Sequence, residues 1–143
     1  MDYDAIEAGD EILALRQEVT VLQTAMYCAV TWDFARQHYD REYARSLGFK
    51  DPVIDPQMYG AYLARVLDDW ISPQGRLAGL KLQYRRPGYV GDTLIYKGRV
   101  ARKFEESGAR CAECELAVEN QSGECLVQGL AVLSFDANPK EGP

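Results

Sequence analysis

The segment DPQMYGAYLARVLDDWI, residues 55–71, most constrains the fold, because its apolar residues recur every three or four positions. That spacing places them on one wide stripe of a helix, and other elements must cover such a stripe. Asp55 is a typical N-cap, and Pro56 suits the first helical position, where its missing N–H costs nothing. We therefore predict a long central helix that ends near Ile71.

After this helix the hydrophobic period changes to two, which is typical of strands. Strands are predicted at 80–85, 93–104, 110–120 and 124–135. Consecutive strands joined by short glycine-containing turns pair antiparallel. The predicted fold class is therefore α+β, with a curved antiparallel sheet wrapped around the central helix. Two shorter helices are also predicted, one from about Thr20 and one between Asp40 and Gly48.

The composition excludes several classes of protein. The 143 residues, of which 47% are hydrophobic, fit a single globular domain over 1–143, with a frayed polar tail at about 137–143. The formal net charge of −6 argues against general binding to nucleic acid or to an anionic membrane. Apolar stretches are too short to span a membrane, and the acidic N-terminus does not resemble a secretion signal. We expect a cytoplasmic protein.

Four cysteines raise the question of a metal or redox site. Cys111 and Cys114 form a C-x-x-C pair, whereas Cys28 and Cys125 are isolated. Positions three apart on a strand point to opposite faces, so the paired thiols would not converge, and zinc would need two further ligands. We therefore expect reduced structural cysteines and no metal ion or other cofactor.

The stretch TWDFARQHYD, residues 31–40, contains the only histidine of the chain, His38, five residues after Asp33. Imidazole exchanges protons near neutral pH, and a carboxylate can orient it or share its water. Residues five apart do not form a helical i, i+4 pair, so FARQ must be an irregular loop if the two side chains converge. The alternative is that His38 is an ordinary surface residue.

Three segments in this order resemble the MaoC-like hydratases and dehydratases: DFARQH (33–38), DREYARSLGF (40–49) and RPGYVGDTLIYKGRV (86–100). The similarity covers roughly residues 8–135. It implies the hotdog fold and a catalytic pair at Asp33 and His38. Members hydrate trans-2-enoyl thioesters, or dehydrate 3-hydroxyacyl thioesters, carried on coenzyme A or acyl carrier protein. The resemblance also implies a homodimer or higher oligomer, or a heterodimer with a related hotdog chain, whose site forms between protomers.

The chain departs from the family in two places. Many members read D-x-N-P-x-H, where this chain has Ala35 and Arg36. Many also open the central helix with an H-G-M-like segment, whose glycine N–H binds the thioester oxygen. Asp55, Pro56 and Gln57 stand there instead, and proline has no N–H to donate.

These residues lead to expected roles for the site. His38 would be the general base and acid that activates water, and Asp33 would bind the same water and deliver the proton to the α-carbon, although the two roles can be exchanged. The amides of Gln57 and Met58, at the positive end of the helix, would hold the charge on the thioester oxygen, and the Gln57 side chain is another candidate. Asp55 would oppose that charge, so we expect it to cap the helix and face away.

The surface residues leave several alternatives open. Arg36 is a candidate partner for a substrate carboxylate or a CoA phosphate, and Lys81, Arg85 and Arg86 are candidates for the CoA phosphates; each is otherwise a solvated residue.

Three functions are considered. The chain is a hydro-lyase, a hotdog thioesterase that uses Asp55, or a subunit that binds acyl thioesters and needs a partner to complete its site.

Overall fold

The computed structural model describes residues 1–135, and the predicted frayed tail at 137–143 lies outside them. The helices are α1 (Val21–Thr31), α2 (Arg41–Ser46) and α3 (Pro56–Ile71), with single 3₁₀ turns at Tyr3–Ala5 and Arg36–His38. The strands are β1 (Glu11–Glu18), β2 (Arg76–Tyr84), β3 (Thr93–Glu106), β4 (Ala109–Glu119) and β5 (Cys125–Ser134). Within these described residues, no helix is both long and apolar enough to cross a membrane.

The five strands form one sheet in the order β1-β3-β4-β5-β2, and every neighbouring pair is antiparallel. This confirms the predicted α+β class. Strand β1 is not predicted by the sequence pattern, because its alternation is interrupted by a register irregularity between Ile12 and Leu15. It is also an edge strand, and edge strands carry more charged residues than central ones.

Helix α3 forms the centre of the core, as its apolar stripe predicts. Its buried residues are Met58, Tyr59, Leu63, Leu67 and Ile71. They pack in one cluster with buried residues of the sheet, among them Leu94, Tyr96, Leu116 and Val118. Burying each large apolar side chain stabilises the fold by about 1.5–3 kcal/mol, so packing rather than helix propensity holds α3 in place.

The loop between β2 and β3 is fastened to the start of α3. The Gly88 N–H donates to the Tyr59 hydroxyl at 3.0 Å, and the Gly88 carbonyl accepts from the Ile54 N–H at 3.0 Å. A Cβ on Gly88 would clash with the Tyr59 hydroxyl, so only glycine allows this approach. The loop therefore places RRPGYVGD beside the first turn of the central helix.

Candidate active site

His38 is held rigidly by the segment that precedes α3. The Val53 N–H donates to the Gln37 carbonyl at 3.0 Å, and the His38 Nδ1 lies 2.8 Å from the Val53 carbonyl oxygen. Because a carbonyl only accepts, Nδ1 carries the proton, and the lone pair of the neutral ring lies on Nε2. His38 is only 5% exposed, and within the described residues its Nε2 lies 3.5 Å from the Gln37 amide nitrogen.

Asp33 is positioned by a sharp turn at the end of α1. Trp32 adopts a left-handed conformation with φ of 59°, which ends the helix and redirects the chain. The Asp33 Oδ1 then accepts the Ala35 N–H at 3.1 Å in a local turn. The connection between Asp33 and His38 is thus irregular before the 3₁₀ turn begins, as the spacing predicts.

Asp55 caps α3, as predicted, but it does not face away from the pair. Its Oδ1 accepts the Gln57 N–H at 2.8 Å, while its Oδ2 is buried and has no hydrogen-bond partner within the described residues. One ligand atom from each of Asp33, His38 and Asp55 lies within 4.8 Å of those of the other two. The expectation for Asp55 is therefore wrong: the cap that fixes the helix start also brings its carboxylate into the same cluster.

The two amides expected to bind the thioester oxygen already have acceptors. The Gln57 N–H donates to the Asp55 carboxylate, and the Met58 N–H donates to the Asp55 carbonyl at 3.0 Å. The Met58 side chain is buried in the core, whereas Gln57 is exposed. An oxyanion held by either amide would therefore compete with a bond that stabilises the cap, and the role of these amides stays a prediction.

A groove of about 350 Å³ lies between α1 and α3. Met26 and Tyr27 of α1 and Met58 and Tyr62 of α3 are among its lining residues. Burial, and after it the charge of Asp55, raises the pKa of Tyr27. The groove is lined mostly by apolar side chains and reaches Met58 in the first turn of α3.

Helix α1 is buried on one side only. Cys28 is buried, and the pKa of its thiol is raised by burial first and then by the charges of Asp55 and Asp33. Other apolar residues at and after α1 are exposed to solvent. We call these the apolar patch: Leu22, Met26, Val30, Trp32 and Phe34.

The candidate phosphate-binding residues lie on the surface. Arg36 pairs with Asp40 at 2.6 Å and stacks on the Tyr43 ring. Arg85 donates to the Gln128 side chain at 3.0 Å. These partners show that the two side chains are ordered by neighbours, while their guanidinium groups remain accessible.

Arg86 lies 3.5 Å from Glu124, and Lys81 is exposed. Arg86 belongs to the loop that is fastened to the start of α3, so it lies on the segment that runs from the edge of the sheet towards the site.

The cysteines are reduced, as expected. Burial raises the pKa of Cys114 to about 12, which leaves its thiol protonated and unreactive at neutral pH. Cys111 is also buried. The C-x-x-C pair therefore belongs to the packing of β4.

No protein-family model matches the chain. Among curated proteins, the (R)-specific enoyl-CoA hydratase of Aeromonas caviae is 22% identical over 136 residues, which are 94% of this chain and 99% of that protein. The solved structure of R-hydratase PhaJ1 from Pseudomonas aeruginosa matches with a TM-score of 0.86 and 22% identity, over 99% of this chain and 93% of that chain.

A chain of the ChsH1–ChsH2 complex from Mycobacterium tuberculosis matches with a TM-score of 0.81 and 22% identity, over 91% of this chain and 98% of that chain. All three likenesses extend over nearly the full length of the described fold. They confirm that this chain has the hotdog fold and that it resembles the MaoC-like, R-specific hydratases, as its three segments predicted.

Proposed function

We propose that the chain is a hydro-lyase that reversibly hydrates trans-2-enoyl thioesters of coenzyme A to 3-hydroxyacyl thioesters. The observation that carries this proposal is the convergence of Asp33 and His38, with the imidazole held so that Nε2 has its lone pair available. The apolar groove between α1 and α3 supports it, because an acyl chain needs an apolar space beside the reacting carbons. The likeness to an enoyl-CoA hydratase supports the same reaction class.

The proposed reaction uses one water molecule between the two side chains. His38 Nε2 accepts a proton from the water as its oxygen bonds to the β-carbon, and the electrons of the double bond move toward the thioester oxygen. The proton is passed on within the pair, and Asp33 delivers it to the α-carbon. The net change is the addition of H and OH across the double bond, and the reverse sequence gives dehydration.

The negative charge that develops on the thioester oxygen needs a hydrogen-bond donor. Gln57 is exposed at the start of α3, and its side-chain amide is the donor that we propose. This choice leaves the backbone bonds of the Asp55 cap intact.

Arg85 and Arg86 are the proposed contacts of the CoA phosphates, because their loop is fastened to the same helix start. Lys81 lies on the strand that leads into this loop and is a further candidate. Arg36 would first have to leave Asp40 before it bound a substrate carboxylate or a phosphate.

The site is proposed to be completed by a second hotdog chain, either a copy of this one or a related protein. The apolar patch exposes large side chains beside Asp33, and exposed apolar clusters mark interaction surfaces. Strands β1 and β2 also end the sheet with one unpaired side each among the described residues. If the purified chain remains monomeric and inactive, the alternative of a subunit that needs an unlike partner is favoured.

A hotdog thioesterase is the second candidate, and one observation favours it. Asp55 presents a buried carboxylate oxygen at the start of the central helix, where a thioesterase would need its base, and this oxygen has no hydrogen-bond partner within the described residues. In that reaction water attacks the carbonyl carbon, and the thiol of coenzyme A is released.

One assay separates these functions. The purified chain is incubated with crotonyl-CoA and longer enoyl-CoAs, while the absorbance of the conjugated thioester and the release of free thiol are followed together. We expect the absorbance to fall without thiol release. His38→Ala and Asp33→Asn should each lower the hydration rate by about 100-fold or more.

Asp69→Asn, which changes an exposed carboxylate near the end of α3, should keep the wild-type hydration rate. Circular dichroism checks that each variant is folded. Near-normal turnover by both site variants would show that this pair is not catalytic, and thiol release instead of hydration would favour the thioesterase.

A further inference from the structure

We propose that Asp33, His38 and Asp55 also form a binding site for a divalent transition-metal ion. Atoms of these three residues able to bind a metal lie within 4.8 Å of one another. The second observation is the Asp55 carboxylate, which is 2% exposed and has an oxygen with no hydrogen-bond partner in the described structure. A buried unpaired oxygen of this kind is costly unless something binds it.

Each of the three side chains is already fixed by one hydrogen bond and offers a second atom. His38 donates from Nδ1 to the Val53 carbonyl, which leaves Nε2 as the available ring nitrogen. The Oδ1 atoms of Asp33 and Asp55 accept the Ala35 and Gln57 N–H groups. Metal-binding histidines and carboxylates are typically oriented by such outer hydrogen bonds. Within residues 1–135, the hydrogen-bond partner of Nε2 is the Gln37 amide, at a long 3.5 Å.

The charge of the cluster favours a divalent ion. Two carboxylates this close repel each other when both are ionised, and a 2+ ion would neutralise them while a neutral imidazole completes the set. One nitrogen and two oxygen ligands suit Zn²⁺, Mn²⁺ or Fe²⁺ better than Ca²⁺, which prefers oxygen ligands alone. The proposed ligands include no cysteine, so this site is separate from the C-x-x-C pair of Cys111 and Cys114.

A bound metal ion would affect the proposed hydration. It would take the Nε2 lone pair that otherwise accepts the proton of water, so hydration should fall as the site fills. This consequence depends on the proposed function, whereas metal binding itself does not.

The test uses the fact that His38 is the only histidine in the chain. Full-length protein without a histidine tag is labelled with ¹⁵N, stripped with EDTA and titrated with Zn²⁺, while NMR follows both ring nitrogens. We expect the Nε2 resonance to shift with saturation at one equivalent, while the Nδ1–H signal to the Val53 carbonyl persists. Isothermal titration calorimetry gives the affinity in parallel.

Asp55→Asn is the sharpest variant, because asparagine still caps a helix but binds metal far less well. It should weaken Zn²⁺ binding at least about tenfold, as should His38→Gln. Asp40→Asn changes the matching cap of α2 and should bind Zn²⁺ like the wild type. If Asp55→Asn does not fold, Asp33→Asn replaces it.

Two results would overturn the metal site: ring resonances that do not respond to Zn²⁺, or an Asp55→Asn variant that binds as tightly as the wild type. The titration contains no thioester, so its result does not depend on whether the proposed function is correct. A protein that binds Zn²⁺ but hydrates no thioester would support the metal site and contradict the proposed hydratase. An active hydratase that does not bind Zn²⁺ would contradict the metal site and support the hydratase.

Discussion

Helices α2 and α3 both begin with an aspartate cap, yet the two caps differ in their second oxygen. Asp40 accepts the Tyr43 N–H at 3.0 Å, and Asp55 accepts the Gln57 N–H at 2.8 Å. The other Asp40 oxygen is paired with Arg36 on the surface. The other Asp55 oxygen is buried without a partner among the described residues.

We interpret this difference as that between a cap with a structural role alone and a cap that also serves the proposed site. Capping needs one oxygen, and α2 shows how the second is satisfied when stability alone matters. Leaving a buried oxygen unpaired costs about 1–3 kcal/mol, so the start of α3 is less stable than it would be with a partner. One atom of the Asp55 carboxylate lies within 4.8 Å of metal-binding atoms of Asp33 and His38, so we propose that a bound water or metal ion satisfies the second oxygen.

The largest expected effect is on the hydration rate, when the first residue of each helix is substituted. Pro56→Ala restores an N–H at the start of α3, so it should raise the hydration rate by about tenfold, because one preorganised donor to an oxyanion is worth about 100-fold or more in other enzymes. Steady-state kinetics with crotonyl-CoA measures it. Arg41→Ala, at the same position of α2, should leave the hydration rate unchanged. An unchanged rate for Pro56→Ala would show that an N–H at position 56 does not reach the thioester oxygen, which leaves the Gln57 side chain as the proposed donor.

A smaller effect is expected on stability. Asp40→Ala removes a cap and an ion pair together, and should lower the midpoint of thermal unfolding by about 3 °C. Asp55→Ala removes a cap, but it also removes the unpaired buried oxygen, so the two changes offset each other and the midpoint should stay close to that of the wild type. Differential scanning calorimetry compares them. An equal loss for both variants would mean that the second Asp55 oxygen carries no cost.

The smallest effect is the pH dependence of the Asp40 cap. The Tyr43 N–H, and after it Arg36, lowers the pKa of Asp40 below its ordinary 3.8. The stabilisation is therefore present above that ordinary value and is lost as pH falls through the lower folded value. The difference in unfolding midpoint between wild type and Asp40→Asn should be present at pH 7 and should shrink as the pH falls below the ordinary pKa of 3.8. If the difference in unfolding midpoint does not change with pH, the stabilisation by Asp40 comes from hydrogen-bond geometry rather than from its charge.

The sequence predicts α3 and strands β2 to β5 because periodic apolar residues report directly on which face is buried. It does not predict β1, whose alternation is broken by an irregular register next to Ile12. It also predicts that Asp33 and His38 are joined by an irregular segment, since residues five apart cannot pair on a helix. The sequence does not reveal that Asp55 joins the cluster. A cap assignment specifies one oxygen of Asp55 and leaves the direction of the other to tertiary packing.

The central claim is that Asp33 and His38 add water to the double bond of an enoyl thioester. Its most direct test is to run the reaction of crotonyl-CoA in H₂¹⁸O and locate the label in the product by mass spectrometry. We expect ¹⁸O on the 3-hydroxyl of an intact CoA thioester, formed by the wild type and absent with Asp33→Asn and His38→Ala. Label found only in the carboxyl group of a free acid, or a labelled hydroxyl that persists in both variants, would contradict it.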